Sequence, residues 1–477
     1  MLSEKGMSEE IRANYEQVDM FPGCLEDWVE ADHPARFIRE FVEALPLREL
    51  GFAERKSEEG RPPYANELLL KVWLYGYLAR LRSTRELEKA CREHRSLLWL
   101  TGRHAPDHNT LWRFWHENRK ALRAVFRAGV RVAAEQGLIG MVCHAVDGTK
   151  IRAVASGRTL EKRKDLEKAL AQVEKSIGEM AAAIEQAEQE EAGDYRLPER
   201  LQKAEELRRA IQESLGKMQE IGRDRLHPHE PEARVMACEG RKDPAYNAQA
   251  VADAQAGIIV AAAAVNAETD HGQWVPLIEE VKANLGEVAR ETVGDGPYGT
   301  VQQLAEAEAR GYGVVTAPGS EQGGEARGEY AAANFSYDAE HDEVICPRGE
   351  RLRWGGRRQK GGARAAVRTY HCQVYGSCPV RELCSRGKQG RRIELSPQRA
   401  ARERQRAKRD TPLGRALRRQ RKAIIEPVFA AIKQVMGFRR WTVRGLENVR
   451  TQWALLCTAF NLKKLHQHWV RNRLAWA

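Results

Sequence analysis

Apolar residues recur three and four positions apart through the first part of the chain, which is the spacing of a helix with one buried face. One such stretch contains Leu68, Leu69, Val72, Trp73 and Tyr77. Further along, Ser83 and Glu86 have the spacing of a capping box, in which each side chain accepts the other residue's backbone N–H. The pattern predicts an all-α domain over residues 1–136. Short helices with His, Arg and Asn suit DNA binding, and they suit a plain helical domain equally well.

A different repeat follows in residues 160–228. Apolar residues alternate three and four apart along a first arm, and the pattern returns along a second arm. The break between the arms contains Gly193, Asp194 and Pro198, which disfavour a helix. This spacing is the seam of a coiled coil, so we predict a helical hairpin. Because strand-like sequence lies on both sides of it, the hairpin is an insertion.

Strand and helix patterns alternate on either side of the hairpin. The predicted strands are residues 141–146, 246–253, 257–265, 291–294 and 312–316, and the predicted helices are 271–285 and 301–310. The second and third strands are expected to pair as a β-hairpin. We therefore predict an α/β core in two parts, residues 137–159 and 229–318. The rest of the chain divides into a basic Cys-containing insertion (319–400) and C-terminal helices (401–477).

The chain has 477 residues, more than one hydrophobic core usually holds. Its 78 Lys and Arg exceed its 67 Asp and Glu, which gives a formal net charge of +11. Residues 386–422 alone contain fifteen Lys and Arg and three acids. In a basic protein such a block favours a surface that contacts phosphate, with a solvated surface as the alternative.

No apolar stretch is long enough to span a membrane. The longest, residues 256–265, is far shorter than the roughly 20 residues of a spanning helix. The first residues, MLSEKGMSEE, lack the basic and apolar regions of a signal peptide. Nine cysteines are an odd number and too few for a disulfide scaffold. We therefore expect a cytoplasmic protein with no membrane partner.

Three acidic residues stand where metal chemistry would require them. Asp147 and Asp295 each follow a predicted strand, and Glu426 lies in a predicted helix. Carboxylates at two neighbouring strand ends and on a helix can hold Mg²⁺, and two such ions would support phosphodiester chemistry. For any one of these acids taken alone, an ordinary turn residue is the better interpretation. By that reasoning Asp253 is the turn of the β-hairpin, and Asp270 is a candidate N-terminal helix cap.

The helix around Glu426 carries cations on the same face. At about 100° per residue, Arg419, Lys422 and Lys433 fall with Glu426 within an arc of about 60°. One carboxylate among three cations is typical of a metal ligand surrounded by phosphate contacts. The three cations are therefore candidate DNA-binding residues, and an exposed Lys–Glu pair is the alternative.

Four cysteines follow Asp295 with the spacing C-x25-C-x5-C-x5-C, namely Cys346, Cys372, Cys378 and Cys384. In a basic segment of a cytoplasmic chain they are candidate ligands of a structural Zn²⁺. His371 is a candidate substitute for one of them. Since no C-x2-C pair is present, reduced and unligated thiols are the alternative.

Taken together, these segments resemble the DDE (Asp-Asp-Glu) transposases of bacterial insertion sequences, in the IS-four/IS-five-like superfamily, and within it the branch numbered eleven-eighty-two. The resemblance covers most of the chain. It rests on the order and spacing of MFPGCLEDWVEADHPARFIREFV, GRPPYANELLLKVWLYGYL, AVDGTKIRA, PAYNAQAVADAQAGIIV, VGDGPYGT, IIEPVFAAIKQVMGFRRWTVRGLENV and WALLCTAFNLKKL.

The resemblance implies an RNase H-like core, a mixed five-stranded sheet with helices on both faces. Asp147 matches the family's first-strand acid, Asp295 its fourth-strand acid and Glu426 its helix acid. Together they would hold two Mg²⁺ ions, with Mn²⁺ as a substitute. The family signature around the last acid is Y-x2-R-x3-E-x6-K. Here Arg419 and Lys422 replace the Tyr and the Arg, whereas Glu426 and Lys433 match.

The implied activity is that of a DNA transposase, a metal-dependent endonuclease and polynucleotidyl transferase. It would cleave the ends of its insertion sequence and join the 3′ ends to target DNA by hydrolysis and transesterification. Its partners would be double-stranded terminal inverted repeats and target DNA, bound by a homodimer or higher oligomer associated with the nucleoid. The alternatives are a catalytically inactive, transposase-derived repressor and a nuclease without a joining step.

Overall fold

The computed structural model describes the chain in these ranges: 24–53, 62–157, 160–190, 197–316, 328–338, 340–358, 367–385, 390–395 and 399–475. The chain divides into two compact units. One unit comprises Met1–Glu117 and His468–Ala477, and the other comprises Asn118–Gln467. No helix in the described ranges has an apolar stretch long enough to cross a membrane.

The smaller unit is helical, as the sequence predicts. A short 3-10 helix (Leu25–Trp28) precedes α1 (Pro34–Glu43), α2 (Asn66–Leu78), α3 (Thr84–Glu93), α4 (Arg95–Leu100) and α5 (His108–Glu117). The predicted capping box is confirmed at the start of α3. The Glu86 N–H donates to Ser83 Oγ at 3.1 Å, and the Ser83 N–H donates to Glu86 Oε2 at 3.0 Å.

The division between the units falls inside the region that the sequence analysis assigned to one N-terminal domain, residues 1–136. Helix α6 (Arg119–Glu135) belongs to the larger unit. There Arg127 Nε donates to Asn284 Oδ1, and Arg131 Nε donates to the Asn284 carbonyl, both at 3.1 Å. Hydrophobic spacing alone does not separate α6 from α1–α5, because all of these segments are helical.

The larger unit is mixed α/β. Up to residue 316 its described strands are β1 (Cys143–Arg152), β2 (Glu161–Lys162), β3 (Arg225–Leu226), β4 (Arg234–Cys238), β5 (Arg241–Asp253), β6 (Ile259–Val265), β7 (Glu291–Gly294) and β8 (Val314–Thr316). A mixed sheet follows the path β6-β5-β1-β7-β8. The first two pairs along this path are antiparallel and the last two are parallel.

The predicted hairpin of residues 246–253 and 257–265 is confirmed as β5 and β6. Strand β4 was not predicted, and it pairs with the first half of β5, so the sheet has six strands instead of the five expected. The prediction that a strand ends at residue 146 is wrong, because β1 continues through Asp147 to Arg152 and pairs with β5 along its whole length. The residues after Val146 are mostly polar, so this half of the strand has no apolar run that would predict it.

Helices flank the mixed sheet. Helix α9 (Trp274–Leu285) packs against β5 and β6, and α10 (Val301–Ala309) follows β7. The C-terminal helices are α12 (Arg399–Asp410), α13 (Pro412–Ala430) and α14 (Leu446–Ala475). Helix α12 packs against β8 and α10, and α13 crosses β1, β5, β7 and β8. The sheet and α13 thus hold the residues of the candidate site.

The predicted helical hairpin is present as α7 (Arg163–Glu190) and α8 (Leu197–Ile221), which pack along each other. Strands β2 and β3 close its base, with Lys162 opposite Arg225. The hairpin therefore leaves and rejoins the α/β core at one point, as expected of an insertion.

Residues 328–395 contain a second sheet that the sequence analysis did not predict. Its antiparallel strands, in the order β13-β12-β11-β10-β9, are β9 (Ser336–Asp338), β10 (Glu343–Ile345), β11 (Arg351–Arg358), β12 (Val367–Cys372) and β13 (Arg392–Leu395), and helix α11 (Arg381–Cys384) lies between the last two. Short strands with many glycines and charges gave no apolar alternation long enough to detect.

Candidate active site

Asp147 and Asp295 lie side by side on neighbouring parallel strands. In the pairing of β1 with β7, Ala145 is opposite Val293, so each aspartate stands two residues farther along its strand. Strand β7 ends at Gly294, and Asp295 begins a short 3-10 turn. The sequence predicts both acids at adjacent strand ends. In the structure Asp295 does follow the end of β7, whereas Asp147 lies within β1.

Burial makes both aspartates hard to ionise. It raises the pKa of Asp147, against the stabilising effects of the Gly148 N–H and the Arg421 guanidinium. Burial, and next the negative charge of Asp147, raise the pKa of Asp295 to about 6. Asp295 Oδ1 is buried and has no hydrogen-bond partner among the described residues. Two crowded carboxylates with an unsatisfied oxygen fit an oxygen-preferring divalent cation such as Mg²⁺.

Arg421 is the cation nearest to this pair, and the sequence analysis missed it. Its Nη1 lies 2.9 Å from Asp147 Oδ2, and the guanidinium is largely buried. Arg421 lies on α13 four residues after Leu417 and four before Ile425, both of which are buried. This spacing puts Arg421 on the face of α13 that packs on the sheet, and it is the signal in the sequence that could have identified it.

A third acid, Asp270, lies at the centre of a polar network beside the two aspartates. Its Oδ1 accepts from Lys150 Nζ, Asn247 Nδ2 and Gln249 Nε2, each at 2.7 Å. Burial opposes its ionisation, but these three donors outweigh burial and lower its pKa. The interpretation of Asp270 as a helix cap is wrong, because α9 begins at Trp274 after Gln273.

Strand register explains how this network forms. Lys150 on β1 is opposite Asn247 on β5, and Gly148 is opposite Gln249, so alternate positions of the two strands face Asp270. A Cβ at Gly148 would lie 2.3 Å from Gln249 Nε2 and 2.8 Å from Asp270 Oδ1. Only glycine fits at this position.

Asp253 does lie at the hairpin turn, as predicted, but it is also a buried anchor. Its carboxylate accepts from the backbone N–H groups of Gly140, Met141 and Gln255. Nε2 of His144 lies 3.3 Å from Asp253 Oδ2. Burial opposes ionisation, yet His144 and the backbone donors lower the pKa of Asp253. These contacts tie the segment before β1 to the end of β5.

Glu426 lies on α13, where its side chain is exposed and makes no hydrogen bond or ion pair with a described residue. Within the described residues, no three His, Cys, Asp or Glu side chains are close enough together to hold a metal ion as they stand. The structure therefore juxtaposes Asp147 and Asp295 but does not assemble a three-carboxylate ligand set with Glu426.

The candidate DNA-binding residues lie on α13, which also carries Glu426, or directly after it. Arg419 and Lys422 are exposed on α13. Lys433 lies in a π-helical turn, Ala431–Val435, that follows α13. Because a π turn is wider than an α turn, the regular spacing assumed for the 60° arc does not extend to Lys433.

The four candidate zinc ligands lie together in the second sheet. Cys346, Cys372, Cys378 and Cys384 line one cavity. His371 packs against Gly355, whereas its neighbours Tyr370 and Cys372 face the core of the sheet. Alternation along β12 thus directs His371 away from the thiols.

Comparison with known families adds independent information. Residues 345–466 match the family model described as "Transposase DDE domain", and residues 23–117 match "Transposase domain (DUF772)". The matches support a DDE transposase family. The two matched segments together cover less than half of the chain. No curated protein and no solved structure matches the chain.

The first matched segment, residues 345–466, lies in the larger unit, and the second, residues 23–117, lies in the smaller one. Glu426 lies inside the first segment, whereas Asp147 and Asp295 lie outside both. The functional assignment from the family models and the paired aspartates are therefore separate observations.

Proposed function

We propose that the chain is a DNA transposase that cleaves the ends of an insertion sequence and joins their 3′ ends to target DNA. The observation that carries the proposal is the pair Asp147, within β1, and Asp295, directly after the parallel strand β7, in a chain that matches two transposase family models. The order of the quoted motifs further supports membership of the branch numbered eleven-eighty-two.

The sheet supports the RNase H-like part of this proposal. Its five-strand path β6-β5-β1-β7-β8 mixes antiparallel and parallel pairs, as the resemblance implies. The additional strand β4 and the hairpin α7–α8 lie between β1 and β5 in the chain. The core then consists of two chain segments with the hairpin inserted between them.

Asp147, Asp295 and Glu426 would supply the carboxylate oxygens for two Mg²⁺ ions. Such ions, when bound, activate the attacking oxygen and stabilise the leaving one. Asp147 and Asp295 are partly buried, so their negative charges are less screened than charges in bulk water. Arg421 offsets part of that charge, and Lys150 holds Asp270 in place beside the pair. Glu426 would complete the set from α13, which crosses both strands.

DNA would contact the cations that the protein does not neutralise itself. Within the basic block, Arg404 makes two bonds to Glu308, and Lys408 Nζ lies 2.7 Å from Glu291 Oε2. These residues fasten α12 to the core. By contrast Arg406, Arg419 and Lys422 are exposed and form no ion pair with a described residue, so they are available to phosphate.

Assembly on DNA requires at least two protomers, because an element has two ends. The hairpin α7–α8 projects from a single base and would either pair protomers or hold DNA. The protein would act in the cytoplasm and associate with the nucleoid through its DNA.

A cleavage assay on duplexes that carry an element end tests the proposal through Glu426. Glu426→Gln should lose several kcal/mol of transition-state stabilisation with Mg²⁺ or Mn²⁺, on the order of 10³-fold in rate, while DNA binding persists. Glu287→Gln, an exposed acid between α9 and β7, is the matched control and should retain wild-type cleavage. Equal cleavage by Glu426→Gln and wild type would exclude Glu426 as a ligand. Binding without cleavage by the wild type would indicate the inactive repressor.

A further inference from the structure

The second sheet has a small core for its size. Its buried side chains are Phe335, Val344, Leu352, Tyr370, Ile393 and Leu395. Its strands are three to eight residues long. Small folds with so few buried side chains usually need a cross-link or a bound metal, because the buried apolar area does not offset the entropy of ordering the chain.

Four thiols converge at one edge of that core. Cys346 directly follows β10, Cys372 ends β12, Cys378 follows a short 3-10 helix and Cys384 ends α11. Cys346, Cys372 and Cys384 pack against the core residues. All four line a cavity of about 20 Å³, which is room for one water-sized atom. All four are free thiols.

The backbone around these cysteines forms tight turns. The Gly349 N–H donates to the Cys346 carbonyl at 2.8 Å, and the Cys346 N–H donates to the Glu350 carbonyl at 2.8 Å. Gly349 has a φ of +86°, which favours glycine. The Cys378 N–H donates to the Tyr375 carbonyl at 3.3 Å, and the Cys384 N–H donates to the Val380 carbonyl at 3.0 Å. These bonds fix the backbone that carries three of the four thiols.

The charges around the cavity also favour thiolates. Arg348, Arg381 and Arg391 line it together with the four sulfurs, and Glu350 is the acid among its lining residues. Four thiolates around a divalent ion carry a net charge of about −2, and nearby guanidinium groups offset such a charge.

We propose that Cys346, Cys372, Cys378 and Cys384 bind one structural Zn²⁺, which fastens the turn after β10 and helix α11 to the end of β12. An all-sulfur, tetrahedral set selects Zn²⁺ over Mg²⁺ or Ca²⁺. Among the described residues no three such side chains are placed to hold a metal ion in the structure as it stands. Binding of Zn²⁺ would therefore require the four sulfurs to move closer together. The site is separate from Asp147 and Asp295 and does not depend on DNA chemistry.

Metal analysis of the purified full-length chain tests the proposal. The wild type should contain about one zinc per chain, and Co²⁺ in its place should give a thiolate-to-cobalt charge-transfer band. Cys372→Ser and Cys378→Ser should each lose the zinc and the band. Cys24→Ser is the control, since Cys24 is exposed and remote in sequence from the cluster, and it should retain both. Zinc that persists in the Cys372→Ser, Cys378→Ser double variant would overturn the proposal, as would an iron-containing wild type.

A second measurement needs no variant and remains decisive if the serine variants fail to fold. The four thiols of the wild-type chain should resist alkylation until a chelator removes the metal, whereas Cys24 should react at the same rate before and after. Mass spectrometry of the labelled peptides reports each cysteine separately. Cluster thiols that react equally fast with and without chelator would exclude a bound metal. Neither measurement uses transposase activity, so their outcome is independent of the proposed function.

Discussion

Gly148 shows how tightly the polar network beside the aspartates is packed. A Cβ at this position would meet Gln249 Nε2 at 2.3 Å and Asp270 Oδ1 at 2.8 Å. We predict that Gly148→Ala displaces both groups and destabilises the protein by about 1–3 kcal/mol, as overpacking does. Thermal unfolding measures the change. The control is Gly178→Ala on α7, where a Cβ meets no atom within 4 Å and should stabilise the helix slightly. Equal midpoints for Gly148→Ala and wild type would contradict the account.

The buried Asp253 predicts a pH-dependent contribution to stability. Because its pKa is lowered in the folded protein, the carboxylate stabilises the fold above its unfolded pKa of about 3.9, and the contribution is lost as the pH falls through the folded value. Asp253→Asn should therefore cost about 1–3 kcal/mol at pH 7 and progressively less below about pH 4. Urea unfolding from pH 3 to 7 measures this difference. A difference that does not change with pH would show that the charge of Asp253 contributes nothing.

At the scale of single elements, the cations of the basic block on α12 and α13 fall into two groups. Arg404 and Lys408 are paired with Glu308 and Glu291, whereas Arg406, Arg419 and Lys422 are not paired with described residues. Substituting the three unpaired cations by Gln should reduce the dependence of DNA affinity on salt, by about 0.9 in the log–log slope for each phosphate contact. The matched control is the Arg404→Gln, Lys408→Gln variant. It should lose some stability and retain the slope. An equal loss of slope in both variants would contradict the division.

The helical hairpin can be removed without cutting the core, because β2 and β3 bring its two ends together. We predict that replacing residues 163–224 by a two-residue turn between Lys162 and Arg225 leaves the thermal stability of the core nearly unchanged. Either the number of protomers in each complex, measured by light scattering, or the affinity for element ends should decrease. If both stay at the wild-type level, the hairpin neither pairs protomers nor holds DNA.

At the scale of the whole molecule, sequence patterns identified the elements with strong periodicity and missed those without it. The helices of residues 34–135 and the two arms of the hairpin have long apolar repeats, and the structure contains them. The second half of β1 was missed because its stability comes from pairing with β5 instead of from an apolar run. The sheet β9–β13 was also missed, because its strands are short and polar and contain no apolar run.

The candidate site was predictable to the same limited degree. Asp147 and Asp295 could be found because carboxylates at neighbouring strand ends form a recognisable pattern. The spacing of Arg421 along α13 indicates the buried face of that helix, but its contact with Asp147 depends on how α13 packs on the sheet. The role of Asp270 depends on the register of β5, which no local pattern specifies. Glu426 lies on α13 shortly before its π-helical end, so its position relative to the aspartates also depends on how this helix packs.

The central claim is that Asp295 serves DNA strand transfer. The most direct measurement is joining of an element's terminal inverted repeat to a target duplex with Mg²⁺ or Mn²⁺, by wild type and by Asp295→Ala. We expect joined product with the wild type and none with the variant, while both bind the repeat equally. Joined product at the wild-type level from Asp295→Ala would contradict the claim.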